Sequence, residues 1–162
     1  MKELTTLLDA DDILLRTGEK KVEWLRKHLT DEDLVDKTRT IQSIQPYECS
    51  LSALVPIIGQ EVYTEMTSFV YSLEGTIPIL QLEGALCGVQ ELSKLGDIYV
   101  VSARKPEQTK NTAEWCKRNN FFEYFIDIFS TEDPKYSHIE KVAIARMITI
   151  GTKYAETESA NL

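Results

Sequence analysis

Histidine is almost absent from this chain: His28 and His138 are the only two. A metal centre built from several imidazoles is therefore excluded, and any metal here must be held by oxygen. Cysteine is nearly as scarce. Cys49, Cys87 and Cys116 are far apart and fall in no CxxC or zinc-ligand spacing, so they read as buried, reduced thiols of a cytoplasmic protein. No run approaches the roughly 18 apolar residues of a membrane-spanning helix. The first residues read as a strand, not as a charged segment leading into a long apolar stretch, so no signal peptide is expected. Basic residues are outnumbered, 18 Lys and Arg against 26 Asp and Glu, for a formal net charge of −8. That balance argues against a general nucleic-acid or anionic-membrane binder, both of which need basic patches. A small phosphorylated substrate stays open, because a few local cations can govern a pocket. Nothing in the composition speaks to oligomeric state.

What remains is ordinary for a globular domain: 162 residues, 43% hydrophobic and 27% charged, enough for one substantial core with a small insertion. The apolar run Leu4-Thr-Thr-Leu-Leu8 predicts a buried strand, and Asp9-Ala-Asp11-Asp12 follows it at once. Asp9 and Asp11 are spaced i, i+2, the spacing that faces one side while the backbone stays extended. Ligands of open α/β sheets bind outside the carboxyl ends of the strands, where these acids stand. Paired carboxylates repel unless a cation or a proton relieves them, and Mg²⁺ takes one or two carboxylates plus water and phosphate. A solvated acidic turn is the plainer alternative.

The following residues change period. Gly18 to Leu29 predicts a helix, and Thr30-Asp31-Glu-Asp33 a cap for a second one through Leu34 and Val35 towards Ile41 and Ile44. Ser50–Ile58 and Glu61–Leu73 predict two more, with Leu73–Pro78 as a break punctuated by Gly75. The remainder alternates regularly. A helix carries Leu82, Leu86, Val89 and Leu92, then a strand runs from Asp97 to Ser102. A helix from Pro106 to Asn119, a strand over Phe125–Phe129 and a helix over Ser137–Thr149 complete the series. The expected fold is α/β, a doubly wound, parallel-sheet, Rossmann-like core with an inserted all-helical cap. The core would be 1–15 and 79–162, and the cap 16–78.

Polar groups stand at the ends of the three predicted strands: Asp9 and Asp11, then Ser102 in Ser102-Ala103-Arg104, then Lys135 before the last helix. A carboxylate nucleophile, a second carboxylate, a hydroxyl and a lysine around one crevice form a coherent set for phosphoryl transfer. In order and spacing the chain resembles the haloacid-dehalogenase-like hydrolases. Leu7-Leu8-Asp9-Ala10-Asp11-Asp12-Ile13-Leu14 matches the first motif, Ile98-Tyr-Val-Val-Ser102 the second, and Lys135 the third. The resemblance implies Asp9 as nucleophile and Mg²⁺ ligand, and Asp11 as general acid/base that also serves the metal through its backbone carbonyl. It implies Ser102 on the phosphoryl group, with Ala103 and Arg104 beside the substrate, and Lys135 neutralising charge. The implied activity is a Mg²⁺-dependent phosphohydrolase for a small phosphomonoester such as a nucleotide or sugar phosphate. Ile13 stands where the family has Thr. The family's fourth motif, an apolar strand ending in acids, is not found after Gly151, so the last core strand is expected to be missing. A truncated or non-catalytic binding protein is the alternative, with a metal-independent dehalogenase behind it. Lys141 competes with Lys135 for its role, and a surface ion pair is a second reading of Arg104. Trp24, Tyr47, Tyr63, Phe69 and Tyr71 read as cap core that could also line a pocket. Glu48, Glu61 and Glu65 read as solvated helix faces.

Overall fold

The computed structural model describes residues 4–34, 39–49 and 51–132. Three parallel strands, β1 (Leu4–Asp9), β2 (Gly96–Ser102) and β3 (Phe125–Ser130), form one sheet in the order β1-β2-β3. Asp9 pairs with Val101 across the first ladder, and Ser102 with Ser130 across the second. The middle strand is the most apolar, and Ile98, Val100 and Val101 are all buried. Adjacent residues can both be buried only where a sheet is covered on both faces, as the unbroken apolar run predicts. The expected α/β core with a parallel sheet is present.

Helix α1 (Thr17–His28) leaves β1 through a tight turn and opens an insertion made of helices and single turns. It continues through α2 (Leu51–Ile58), α3 (Gln60–Val70) and the one-turn α4 (Leu73–Thr76). The chain returns to the sheet through α5 (Ala85–Leu95), and α6 (Pro106–Arg118) links β2 to β3. Two backbone bonds tie the entry and exit of the insertion together: Arg16 N–H donates to Leu80 C=O at 3.0 Å, and Leu82 N–H to Leu14 C=O at 2.8 Å. That second bond holds Leu82 ahead of α5, outside the helix face on which its spacing placed it.

Two expectations for the insertion change. The predicted helix from Thr30 towards Ile44 is replaced, among the described residues, by single 3₁₀ turns at Asp31–Asp33, Ile41–Ser43 and Pro46–Glu48. The cause is a series of polar side chains that close locally on the backbone. Asp33 accepts from Thr30 N–H (2.6 Å), Ser43 from Thr40 N–H (3.3 Å) and Glu48 from Gln45 N–H (2.8 Å). Such closures compete with a continuous helix ladder. Leu34, Ile41 and Ile44 still reach the core, and all three are buried.

The predicted break at Leu73–Pro78 contains α4 instead. Ser72 Oγ caps it by accepting from Gly75 N–H at 3.1 Å. Gly75 is there for close approach, since a Cβ would lie 2.1 Å from the Phe69 carbonyl oxygen.

Aromatic packing closes the core beneath α6. Trp115, fully buried, stacks on Phe121 with ring centroids 5.4 Å apart and donates its indole N–H to Ile79 C=O at 2.8 Å. Of the three thiols Cys49 and Cys116 are buried, and burial pushes them up to about 11 and about 12 respectively. Cys87 is exposed, against the expectation, because it lies on the outer side of α5. Among the described residues no helix is long and apolar enough to cross a membrane. The predicted helix over Ser137–Thr149, with Lys135, His138 and Lys141, and the segment after Gly151 lie outside the described residues.

Candidate active site at the strand ends

The last residues of the three strands are Asp9, Ser102 and Ser130, so adjacent parallel strands deliver a carboxylate and two hydroxyls to one edge of the sheet. Ser130 was not singled out by sequence, because the predicted strand ended one residue early at Phe129.

The chain after Asp9 makes a tight turn. Leu14 and Leu15 N–H both donate to Ala10 C=O at 3.1 Å, and Asp12 N–H donates to Leu15 C=O at 2.8 Å. Asp12 takes φ of 57°, a left-handed conformation that Asp tolerates better than most residues. Its carboxylate accepts from Gly18 N–H at 2.8 Å, satisfying one of the unpaired donors at the start of α1. Ile13, in the family's Thr position, is 47% exposed and supplies no hydroxyl.

Asp9 and Asp11 stand in opposite settings. Asp9 is open to solvent at the mouth of the site, and its Oδ1 accepts from Ala10 N–H at 2.7 Å. The protein packed around its inner side raises its pKa above its ordinary value, and the neighbouring Asp11 charge raises it further. Asp11 receives a two-pronged contact from Arg104, Nη2 to Oδ1 at 2.6 Å and Nε to Oδ2 at 3.2 Å. Thr17 Oγ1 also donates to it at 2.6 Å. Burial would push Asp11 up, but the Arg104 charge and these hydrogen bonds outweigh it and hold the carboxyl below its ordinary value.

Arg104 is the centre of this arrangement. It is 2% exposed, so its ion pair with Asp11 is buried, not the surface pair that the sequence left open. Nη1 donates to Thr76 at 3.3 Å and Thr112 at 3.1 Å, joining the insertion to α6. Nη2 also reaches Thr17 Oγ1 at 3.5 Å. The guanidinium lies over the Tyr71 ring, 4.4 Å from its centroid. The loop carrying Arg104 is fixed at both ends: Ser102 Oγ accepts from Arg104 N–H at 3.1 Å, and Ser130 Oγ donates to Arg104 C=O at 2.5 Å. Ser102 is fully buried, while Ala103 beside it is exposed. The buried threonines that complete the network could not be found by sequence. Each is an ordinary helix residue until the fold collects them around one guanidinium.

The insertion contributes Lys21, Tyr63 and Tyr71. Lys21 is buried, donates to Cys49 C=O at 3.3 Å, and lies 5.2 Å from the Tyr71 ring centroid and 6.0 Å from that of Tyr63. Trp24 is buried and stacked on His28 at 4.3 Å between centroids, whereas Tyr47 is 81% exposed and Phe69 is exposed too. Glu61 and Glu65 are solvated as expected, and Glu48 is paired with Arg39.

A metal must be judged by the donors at hand. Among the described residues no three His, Cys, Asp or Glu side chains gather to hold an ion. The Asp11 carboxylate is occupied by Arg104 and Thr17, but Asp9 is open, with Ala10 N–H donating to its Oδ1. The turn's hydrogen bonds go to the carbonyls of Ala10 and Leu15, leaving the Asp11 carbonyl outside that set. One carboxylate and one carbonyl suit Mg²⁺, which keeps several waters and takes phosphate oxygens.

No family model matches the chain, and no curated protein matches it significantly. Similar solved structures exist. One is haloacid dehalogenase-like family protein SP0104 from Streptococcus pneumoniae, 16% identical, covering 91% of this chain and 70% of that one, with a TM-score of 0.53. A second is the putative HAD-hydrolase YfnB from Bacillus subtilis bound to magnesium, at 18% identity, 82% and 67% coverage and a TM-score of 0.49. A third is a hydrolase from Streptococcus pneumoniae TIGR4, at 18% identity, 81% and 68% coverage and a TM-score of 0.47. The likeness to SP0104 is one of fold.

Proposed function

With the haloacid-dehalogenase-like fold as premise, we propose that this chain is a hydrolase of small phosphomonoesters that works with Mg²⁺ through an aspartyl-phosphate. The observation that carries the reading is the end of β1: an open carboxylate, Asp9, next to a strand that ends in the Ser102 hydroxyl, with a second carboxylate held two residues on.

Asp9 attacks phosphorus and the ester oxygen departs, so the phosphoryl group passes to the carboxylate. Water then attacks that phosphorus and returns Asp9 free. Asp11, once its carboxylate has exchanged the Arg104 fork for substrate and taken up a proton from solvent, gives that proton to the departing oxygen and then takes one from the attacking water. Ser102 and the exposed Ala103 backbone bind phosphoryl oxygens, and Lys135 offsets their charge. The Asp9 carboxylate and the Asp11 carbonyl would hold Mg²⁺, which would supply positive charge that offsets the repulsion between carboxylate and phosphate. Closure of the helical insertion over the strand ends excludes water.

Phosphate release from p-nitrophenyl phosphate, with and without Mg²⁺, tests this against Asp9→Asn. Release that needs both the metal and Asp9 supports it. Release no higher than the variant's leaves the non-catalytic binding reading, and metal-independent carbon–halogen cleavage would leave the dehalogenase.

A further inference from the structure

Among the described residues two charged side chains are buried, Arg104 and Lys21, and they differ in what their donors find. Every nitrogen of the Arg104 side chain donates to Asp11, Thr17, Thr76 or Thr112. The Lys21 ammonium has three donors and one oxygen partner, the neutral Cys49 carbonyl at 3.3 Å. No carboxylate among the described residues stands within ion-pair distance of it. The two rings beside it, Tyr63 and Tyr71, offer cation–π attraction, and neither accepts a hydrogen bond from it. Neither tyrosine hydroxyl has a hydrogen-bond partner among the described residues, so three polar groups with free capacity meet at one place. Tyr71 also lies under Arg104 and feels the charges of Asp11, Arg104, Asp12 and Asp9, so this place adjoins the strand-end site.

Burying an ammonium against one neutral acceptor is unfavourable, and an anion that brings charge-assisted hydrogen bonds offsets that penalty. On the phosphohydrolase reading, the scissile phosphate is held at the strand ends by Asp9's neighbours. Lys21 comes from α1 in the insertion, near enough for its charge to act on Asp11. We propose that Lys21, with the Tyr63 and Tyr71 hydroxyls, forms a subsite for a second anionic group of the substrate. The substrates are then small phosphomonoesters whose leaving group carries a carboxylate or another phosphate. The proposal rests on the phosphohydrolase reading.

Binding to the full chain in the Asp9→Asn background, with Mg²⁺ present, tests it by calorimetry without turnover. The probes are phenyl phosphate, 4-carboxyphenyl phosphate, its uncharged carboxamide and 1,4-phenylene bisphosphate. The carboxylate should bind roughly tenfold or more tightly than the carboxamide, the size expected for a charge-assisted contact. Lys21→Met should erase that preference, bringing the carboxylate down to the affinity of the carboxamide. Lys21→Gln, the second neutral variant, should do the same, and covers the case in which methionine fails to pack. The bisphosphate, compared with the carboxylate, tells which anion the subsite prefers. Equal affinity for carboxylate and carboxamide overturns the subsite, as does a preference that survives both substitutions. Failure of phenyl phosphate itself to bind overturns the phosphohydrolase reading and the subsite with it, so the two failures are distinct.

Discussion

The end of β1 and the turn that follows it carry the same residue type two positions apart, in opposite settings. Asp9 is open at the mouth but packed on its inner side and beside a like charge, and both raise its pKa. Asp11 is enclosed and held low by Arg104 and Thr17. Two carboxylates whose environments push them apart are the usual mark of divided chemical roles. Access matters too. A nucleophile must also be open to its target, which Asp9 is, whereas the Asp11 carboxylate is already engaged by Arg104 and Thr17. Asp9 is therefore the member exposed to ligands and Asp11 the member built into the fold.

The largest effect expected from breaking this contrast is on catalysis. Asp9→Asn should lower phosphate release by about a thousandfold or more, since deleting a nucleophile removes the covalent route altogether. Its fold should be retained, as judged by circular dichroism. The structural partner behaves in reverse. Arg104→Met leaves Asp11 enclosed without its counter-ion and should cost about 3–5 kcal/mol in urea denaturation. A loss below ~1 kcal/mol would mean that the pair does not hold the turn.

Thr17→Val removes one hydrogen bond to the same carboxylate and should cost about 1–3 kcal/mol by the same measurement. The smallest effect is the sharpest test of sign. Asp11 has a folded pKa below its unfolded value, so its contribution to stability is present above the unfolded carboxylate pKa, about 4, and is lost as pH falls through the lower folded value. The stability gap between wild type and Asp11→Asn should thus be full at neutral pH and close on acidification. Asp9 has a raised folded pKa, so its ionisation opposes folding above that value. Asp9→Asn should therefore be more stable than wild type at neutral pH, with the gain disappearing in acid. A gap of one sign for both variants would dissolve the comparison.

How much of this was legible depended on the kind of signal. The strand at Leu4 and the strand ending at Ser102 were readable because a short, unbroken apolar run in a chain of this composition fits little but a buried strand. Asp9 was readable because it follows such a run directly. The segment from Thr30 to Ile44 reads as helix but is not one, since Leu34, Ile41 and Ile44 fit a helical stripe while Asp33 and Ser43 close the backbone into separate turns. Gly75 reads as punctuation, but it lies inside α4 because a side chain would strike Phe69.

Arg104 shows the limit most clearly. Its position after Ser102 suggested either a substrate contact or a surface ion pair. Only folding brings Thr17, Thr76 and Thr112, from three helices, around one guanidinium and puts Asp11 against it. Lys21 is similar. It is one of two adjacent lysines on α1: Lys20 pairs with Glu23, while Lys21 turns inward between two tyrosines.

The sequence by itself determined the parallel core, the place of the helical insertion and the carboxylate at the end of β1. Those follow from local hydrophobic periodicity and from residues adjacent in the chain. Tertiary structure alone decided which carboxylate is free and which is held, and which buried cation still has donors to offer. Those properties depend on desolvation and on partners distant in the chain, which no local pattern encodes.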